Sequence, residues 1–319
     1  MKISVILCSH NPRKDYLDRT LEALKVQSLS KDQWELLLID NASNEPISEK
    51  CNLSWHPNRK HIREETLGKT YALLRGIRES KGENIVIVDD DNVLDPEYLK
   101  NALEITISHP WIGCFGGSIF GEFETPPPDW LIERQHQLAI FPSIMDEWAY
   151  GPGLSVMNYI PPGAGMLIRK KISLKYLEIS RNDKLRNNLG RKGSSLASAE
   201  DGDMSLTSCM MGFAVGRFSK LKMTHLIPSR RVQLDYMLKL NEEMECSYLI
   251  LRYIWEGIIP EKKNEAVCKS EKIFNLYKKI RNLGRIPKTL SISDEFELSR
   301  LRGELKAIEI LNTYQKPAK

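Results

Sequence analysis

Several features that would settle a function at once are missing from this chain. Its six cysteines, Cys8, Cys51, Cys114, Cys209, Cys246 and Cys268, are scattered, with no CxxC pair and no disulfide-like rhythm, which reads as reduced thiols in a cytosolic protein. No run of about 18 apolar residues occurs. The nearest approach, SYLILRYIWEGIIP at 247–260, is interrupted by Arg252 and Glu256, so a membrane span is not expected. The opening MKISVILCSHNP has too short an apolar run for a signal peptide and passes directly into turn chemistry, so it reads as a first strand. That strand is not followed by G-x-G-x-x-G, which disfavours a dinucleotide site. LGKT at 67–70 lacks the first glycine of a phosphate-binding P-loop, since Arg63 stands at that position. His56 and His61 lie in a polar stretch without further ligands in a metal pattern and are expected at the surface.

What is present is a soluble-type composition: 319 residues, 41% hydrophobic and 28% charged, enough for one large α/β domain with an appendage. The first hundred residues alternate regularly. ISVILCS reads as a buried strand, RKDYLDRTLEALKVQSL as an amphipathic helix with Leu17, Leu21 and Leu24 on one face, and WELLLIDNAS as a second strand with its turn. LGKTYALLRGIRESKG is a second helix and NIVIVDDDN a third strand. Such βαβ repetition implies a parallel sheet covered by helices, with ligands bound beyond the carboxyl ends of the strands. Those ends are polar in all three cases: CSHN, DNAS and DDDN.

The middle is less regular. FETPPPDWLIER is a Pro-rich loop leading to a short helix, YGPGLSVMNYIPPGAGMLIRK leads through glycines and prolines to a β-like exit, and RNDKLRNNLGRKGSSLASAEDGD reads as a polar, mobile loop. From about Asp235 the pattern is helical. Net charge is +4, and residues 261–319 hold 14 Lys and Arg against 8 Asp and Glu, so the positive excess belongs to the tail. There, EKKNEAVCKSEKIFNLYKKIRNLGRIPK reads as a basic helix. One reading is a solvated helix packing one face on the domain; the other is contact with an anionic membrane leaflet.

Three acidic or imidazole elements carry the chemistry. Asp89, Asp90 and Asp91 stand at a strand end, where alternation sends Asp89 and Asp91 to one side. Such a D-x-D pair can hold Mg²⁺ or Mn²⁺ that takes its other ligands from phosphates and water. The alternative is a solvated acidic turn with Asp95 as N-cap of the next helix. SAEDGDMSLTSCMMG at 198–212 opens a helix with Ser198 as N-cap and Glu200, Asp201 and Asp203 in the first turn, where acids also answer the helix dipole. In KMTHLIPSRR, His225 follows a β-like stretch and offers a further metal ligand.

Together these pieces resemble family 2 glycosyltransferases of the GT-A fold over residues 1 to about 230. The match rests on SVILCSHNP, LLLIDNAS, LGKTYALLRGIRESKGENIVIVDDDN, PPGAGMLIRK and AEDGDM in this order. The resemblance implies a Rossmann-like, mixed and mainly parallel sheet flanked by helices, with a helical C-terminal extension. It implies a GT-A domain over 1–232, divided into a nucleotide-binding half at 1–100 and an acceptor-side half at 101–232, followed by the basic extension at 233–319. On the donor side it implies Ser9, Asn11, Asp40 at the base, Lys69, Asp89 at the ribose, and Asp90. Asp91 and His225 would hold the metal, Asp201 would be the catalytic base, and Gly163, Gly165, Glu200 and Trp130 would lie on the acceptor side.

The chain departs from the family pattern where an asparagine is usual and Leu73 and Leu74 stand, and again where Leu206 and Thr207 take the Trp and Arg positions after the ED motif. The activity implied is inverting, metal-dependent sugar transfer. The donor would be a nucleoside-diphosphate sugar, UDP-linked in preference to GDP- or dTDP-linked, and the acceptor a saccharide or lipid-linked saccharide in surface-glycan assembly. No nucleic-acid partner is expected. The rivals are a sugar-phosphate nucleotidyltransferase, whose Gly-rich basic opening loop is missing from LCSHNPRK, and a non-catalytic sugar-nucleotide-binding protein of the same fold.

Overall fold

Every residue of β1 (Ile3–Ser9) and β2 (Trp34–Asn41) is buried, as a strand covered on both faces requires. Alternation divides β1 between two cores: Val5 and Leu7 face Leu17, Leu21 and Leu24 of α1 (Lys14–Lys25), while Ile6 and Cys8 face Ala72, Leu73 and Ile77 of α2 (Lys69–Glu79). The computed structural model describes residues 1–259 and 291–315. The basic segment read as a helix at 261–288 lies outside them.

Among the described residues nine strands form one mixed sheet in the order β3-β2-β1-β4-β8-β6-β9-β5, with β7 (Glu147–Ala149) paired to β9. The parallel half contains β3 (Arg59–Glu64), β2, β1 and β4 (Asn84–Asp89). In its register Ser9 stands opposite Asp40, and Cys8 opposite Asp89, so the polar strand ends meet at one edge. The other half mixes directions through β5 (Asn92–Leu94), β6 (Ile112–Phe123), β8 (Leu167–Arg169) and β9 (Ala214–Ile227). Helices α3 (Tyr98–Ser108), α4 (Asp129–Ile132), α5 (Lys170–Ser180), α6 (Lys184–Asn187) and α7 (Glu200–Met210) connect these strands.

β9 does most to place the site. It runs beside β6 with a register shift at Gly117, where a Cβ would fall 1.9 Å from the Leu221 carbonyl oxygen, so only glycine fits. Its far end pairs antiparallel with β5, setting His225 opposite Asn92. The Leu226 amide donates to the Asp91 carbonyl at 2.9 Å. A histidine more than a hundred residues away is thereby fixed beside the third aspartate.

α8 (Leu234–Glu256) and α9 (Ile292–Gln315) confirm the helical pattern after Asp235. Cys246, Leu249 and Leu251 of α8 and Ala307 and Leu311 of α9 join the same core as Ile6 and Leu37. No helix among the described residues is long and apolar enough to cross a membrane.

Five local expectations are corrected. β3 is a strand where only polar loop was read. The 181–203 stretch is organised: Asp183 caps α6 by accepting from the Leu185 and Arg186 amides, and Leu185, Arg186 and Leu189 are buried. Ala199, without a side-chain cap bond, takes the N-cap of α7 in place of Ser198, and Glu97 takes that of α3 in place of Asp95. Asp95 instead accepts from the Glu97 amide in the preceding turn.

The fifth correction is His56, expected at the surface. It is fully buried, edge-on to Trp34 with ring centroids 4.1 Å apart, and accepts the Asn58 amide at Nδ1. His61 is exposed as expected, although on β3. Burial first, and the Lys31 charge second, push the His56 imidazole down from 6.5 to about 4. Below pH 6.5 the unfolded chain therefore binds more protons than the native one, so this group removes stability as pH falls from 6.5 toward 4. His56→Gln should be less stable than wild type in urea unfolding at pH 7.5, with the gap narrowing by about 2 kcal/mol at pH 4.5. A gap independent of pH would mean that the buried imidazole is not held neutral.

Candidate active site

The loops after β1 and β2 are clamped together before any ligand is considered. Asn11, at φ +48°, accepts the Asn44 amide through Oδ1 at 2.9 Å and donates its own amide to Ser43 Oγ at 2.9 Å. Asp40 is buried, and its oxygens accept from the amides of Ser43 at 3.0 Å and Ile47 at 3.2 Å and from Arg63 at 2.9 Å. These bonds shape the 41–47 loop with the carboxylate expected at the nucleotide base. Arg63, which sequence reasoning passed over, is its cation.

At the end of β4 the three aspartates separate. Asp89 takes Lys69 Nζ at 3.0 Å from both its oxygens. Asp90 accepts from the hydroxyl of Ser9. Burial first, and the Asp91 charge second, raise Asp90 to about 7. Asp91 is buried and lies 3.4 Å from His225 Nε2 and 3.0 Å from Arg231 Nη2. Burial pushes its carboxyl up, but the positive charge beside it outweighs that and holds it well below the usual carboxylate range. His225 must donate its Nδ1–H to the Leu138 carbonyl at 2.9 Å, which leaves Nε2 to accept from Arg231 Nη1 at 3.0 Å.

The acids of α7 reach the same place from the other side. Lys69 Nζ is also 3.2 Å from Glu200 Oε1, so one ammonium joins the end of β4 to the start of α7. Burial alone would lower the Lys69 pKa, and the two carboxylates reverse this and raise it. Glu200 is buried and pushed up by that burial, and its Oε2 has no hydrogen-bond partner among the described residues. Asp201 is half-buried; its oxygens accept the amides of Gly163 at 2.9 Å and Gly202 at 2.7 Å. Gly165, at φ +72°, accepts the Tyr98 hydroxyl at 2.7 Å on its carbonyl, and a Cβ there would meet that hydroxyl at 2.5 Å. Its glycine character thus has a packing cause.

Behind Asp201, Asp203 accepts from Arg186 and, at 2.7 Å, from the indole of Trp255 on α8. Trp130, on α4, is tilted against Phe296 of α9 with ring centroids 6.0 Å apart. The departures from the family pattern are core positions: Leu73, Leu74, Leu206 and Thr207 are all buried. Among the described residues no group of three or more His, Cys, Asp or Glu side chains could hold a metal by itself. Asp91 and His225 provide two adjoining ligand atoms, which fits a hard divalent ion that completes its shell from phosphates and water.

Residues 4–170 match the profile of glycosyl transferase family 2. The chain belongs to this family. It is 19% identical over 260 residues to a glucosyl-dolichyl phosphate glucuronosyltransferase of Haloferax volcanii, covering 81% of this chain and 75% of that protein. It is 26% identical over 112 residues to the poly(ribitol-phosphate) beta-N-acetylglucosaminyltransferase TarS of Staphylococcus aureus, covering 34% of this chain and 19% of that one. The crystal structure of TarS superposes with a TM-score of 0.52 at 17% identity, over 100% of this chain and 56% of that one. The mannosyltransferase PcManGT from Pyrobaculum calidifontis, in complex with GDP-Man and Mn²⁺, gives 0.51 at 16% identity, over 99% and 88%. The fold of this family 2 glycosyltransferase is therefore GT-A.

Lys69 can be tested apart from substrate. Lys69→Met leaves Asp89 and Glu200 facing each other uncompensated and should destabilise the protein by about 3 kcal/mol at pH 8. Carboxylates left in this state bind protons more readily in the native than in the unfolded chain, so the deficit should shrink as pH falls to 5. Thermal melts of both proteins at the two pH values measure it; an equal deficit at both would show that Lys69 does not offset these charges.

Proposed function

We propose that the protein is an inverting, metal-dependent glycosyltransferase that moves a sugar from a nucleoside-diphosphate sugar to a hydroxyl of a saccharide or lipid-linked saccharide. The observation that carries this reading is the Lys69 bridge. It ties the D-x-D strand end, where a donor diphosphate would lie, to the first turn of α7, where Asp201 stands with its carboxylate oriented by two backbone amides.

In the transfer, the acceptor oxygen forms a bond to the anomeric carbon as the bond from that carbon to the diphosphate oxygen breaks. The hydroxyl proton passes to Asp201, and the nucleoside diphosphate leaves with the electron pair. No covalent enzyme intermediate is needed, and the chain offers no thiol for one at this edge: burial first, and Asp89 second, hold Cys8 protonated. Asp91 and His225 would hold Mg²⁺ or Mn²⁺, which acts as a Lewis acid toward the departing diphosphate. Ser9, Asn11 and Asp40 then serve by shaping the donor loops. The GDP-Man and Mn²⁺ of the mannosyltransferase complex support this donor and metal class. The dolichyl and poly(ribitol-phosphate) names of the two relatives support an acceptor in surface-glycan assembly.

Titration calorimetry of UDP, GDP and dTDP, each with and without Mn²⁺, should show one of them binding in a manner that needs both Mn²⁺ and Asp91, with binding lost in Asp91→Ala. Asp201→Asn should keep that nucleotide affinity within about twofold while transfer to an acceptor falls about 10²–10⁴-fold. Transfer indifferent to Asp201→Asn would remove the base assignment, and release of pyrophosphate from a nucleoside triphosphate would favour nucleotidyl transfer.

A further inference from the structure

Arg231 is the residue at this edge whose role the reading above leaves open. It lies on the short turn Ser229–Val232 that follows β9, six residues beyond His225. Its guanidinium reaches both atoms assigned to the metal: Nη2 is 3.0 Å from Asp91 Oδ2, and Nη1 is 3.0 Å from His225 Nε2. The side chain is only 12% exposed. Its buried Nε has no hydrogen-bond partner among the described residues, and such an orphaned donor calls for an acceptor. A planar fork that holds two acceptors in fixed directions is what guanidinium supplies and the flexible point charge of a lysine ammonium does not. A guanidinium in this position and a divalent ion cannot both engage the single lone pair of His225 Nε2, and they compete for the same oxygen of Asp91.

We infer that Arg231 is a resident cation that competes with the metal for Asp91 and His225, and that it gives way only when a donor diphosphate arrives to accept its N–H groups. The inference rests on the donor-site reading above. Its consequence is an order of binding. Metal alone meets a site already neutralised by Arg231, whereas a nucleoside diphosphate offers oxygens to the guanidinium and so frees both ligands. Metal and nucleotide affinities become coupled through one side chain, and by linkage each must raise the other equally.

The experiment titrates Mn²⁺ into wild type, Arg231→Gln, Arg231→Lys and Arg231→Gln/His225→Ala, by the loss of the free aquo-Mn²⁺ electron paramagnetic resonance signal, alone and with saturating UDP or GDP. Wild type should bind Mn²⁺ weakly alone and at least about tenfold more tightly with nucleotide. Arg231→Gln should bind Mn²⁺ alone at least about tenfold more tightly than wild type, lose most of the nucleotide enhancement, and lose the gain when His225 is also removed. Arg231→Lys keeps the charge but not the fork; it should show a smaller gain of the same sign, and it carries the test if the glutamine variant does not fold. Unchanged Mn²⁺ affinity in the Arg231 variants, with nucleotide enhancement intact, overturns the inference and leaves the donor site standing. Absence of Mn²⁺ and nucleotide binding from wild type and variants alike overturns both.

Discussion

Five carboxylates, Asp89, Asp90, Asp91, Glu200 and Asp201, converge where parallel strands end, and their mutual repulsion in a partly desolvated place would disfavour the fold unless cations were built in beside them. Lys69 and Arg231 are those cations, and they divide the cluster. Lys69 holds Asp89 and Glu200 on the side of α7, and Arg231 holds Asp91 on the side of β9. Asp90, which has neither, shares its proton-binding site with a hydroxyl and is the aspartate that rises to about 7. The same compensation that lets the chain fold therefore sorts the acids into two groups, one toward α7 and one toward β9. This gives a physical reason for three adjacent aspartates: each has a different neighbour.

β9 shows how sheet geometry delivers this sorting. A strand of fourteen residues beside β6 must follow the sheet's twist, and the shift at Gly117 lets its second half realign to meet β5. The pairing of Asn92 with His225 then places an imidazole and, one turn later, a guanidinium against Asp91. A larger residue at 117 would collide with the Leu221 carbonyl, disturb this realignment and so reach the site through the backbone.

The parallel half of the fold was legible because strands buried on both faces read as continuous apolar runs, as ISVILCS and NIVIVD do. β3 was not, because RKHIRE lies at the sheet edge, with every residue exposed or half-buried, and carries the charges that edges favour. The acids of the site were legible because each motif is local in sequence. Arg231 was not: it and Asp91 are far apart in the chain, and an arginine next to a second arginine gives no signal of which one turns inward. His56 was misplaced for the same reason, since the polar residues around it conceal that Trp34, from a neighbouring strand, covers its ring. Trp130, on the short helix α4, packs against Phe296 of α9, a partner that no local pattern announces.

The first turn of α7 is secured from behind as well as from the front. Asp203, two residues after Asp201, is fully buried, and burial raises it to about 6 despite bonds from Arg186 and Trp255. Arg186 is in turn held by Asp183 at 3.2 Å and lies over the Trp255 ring. A segment that reads as loose polar loop thus reaches α8 through a side chain of α7. Because Leu206 and Thr207 are buried in this packing, α7 presents only its first turn to the site.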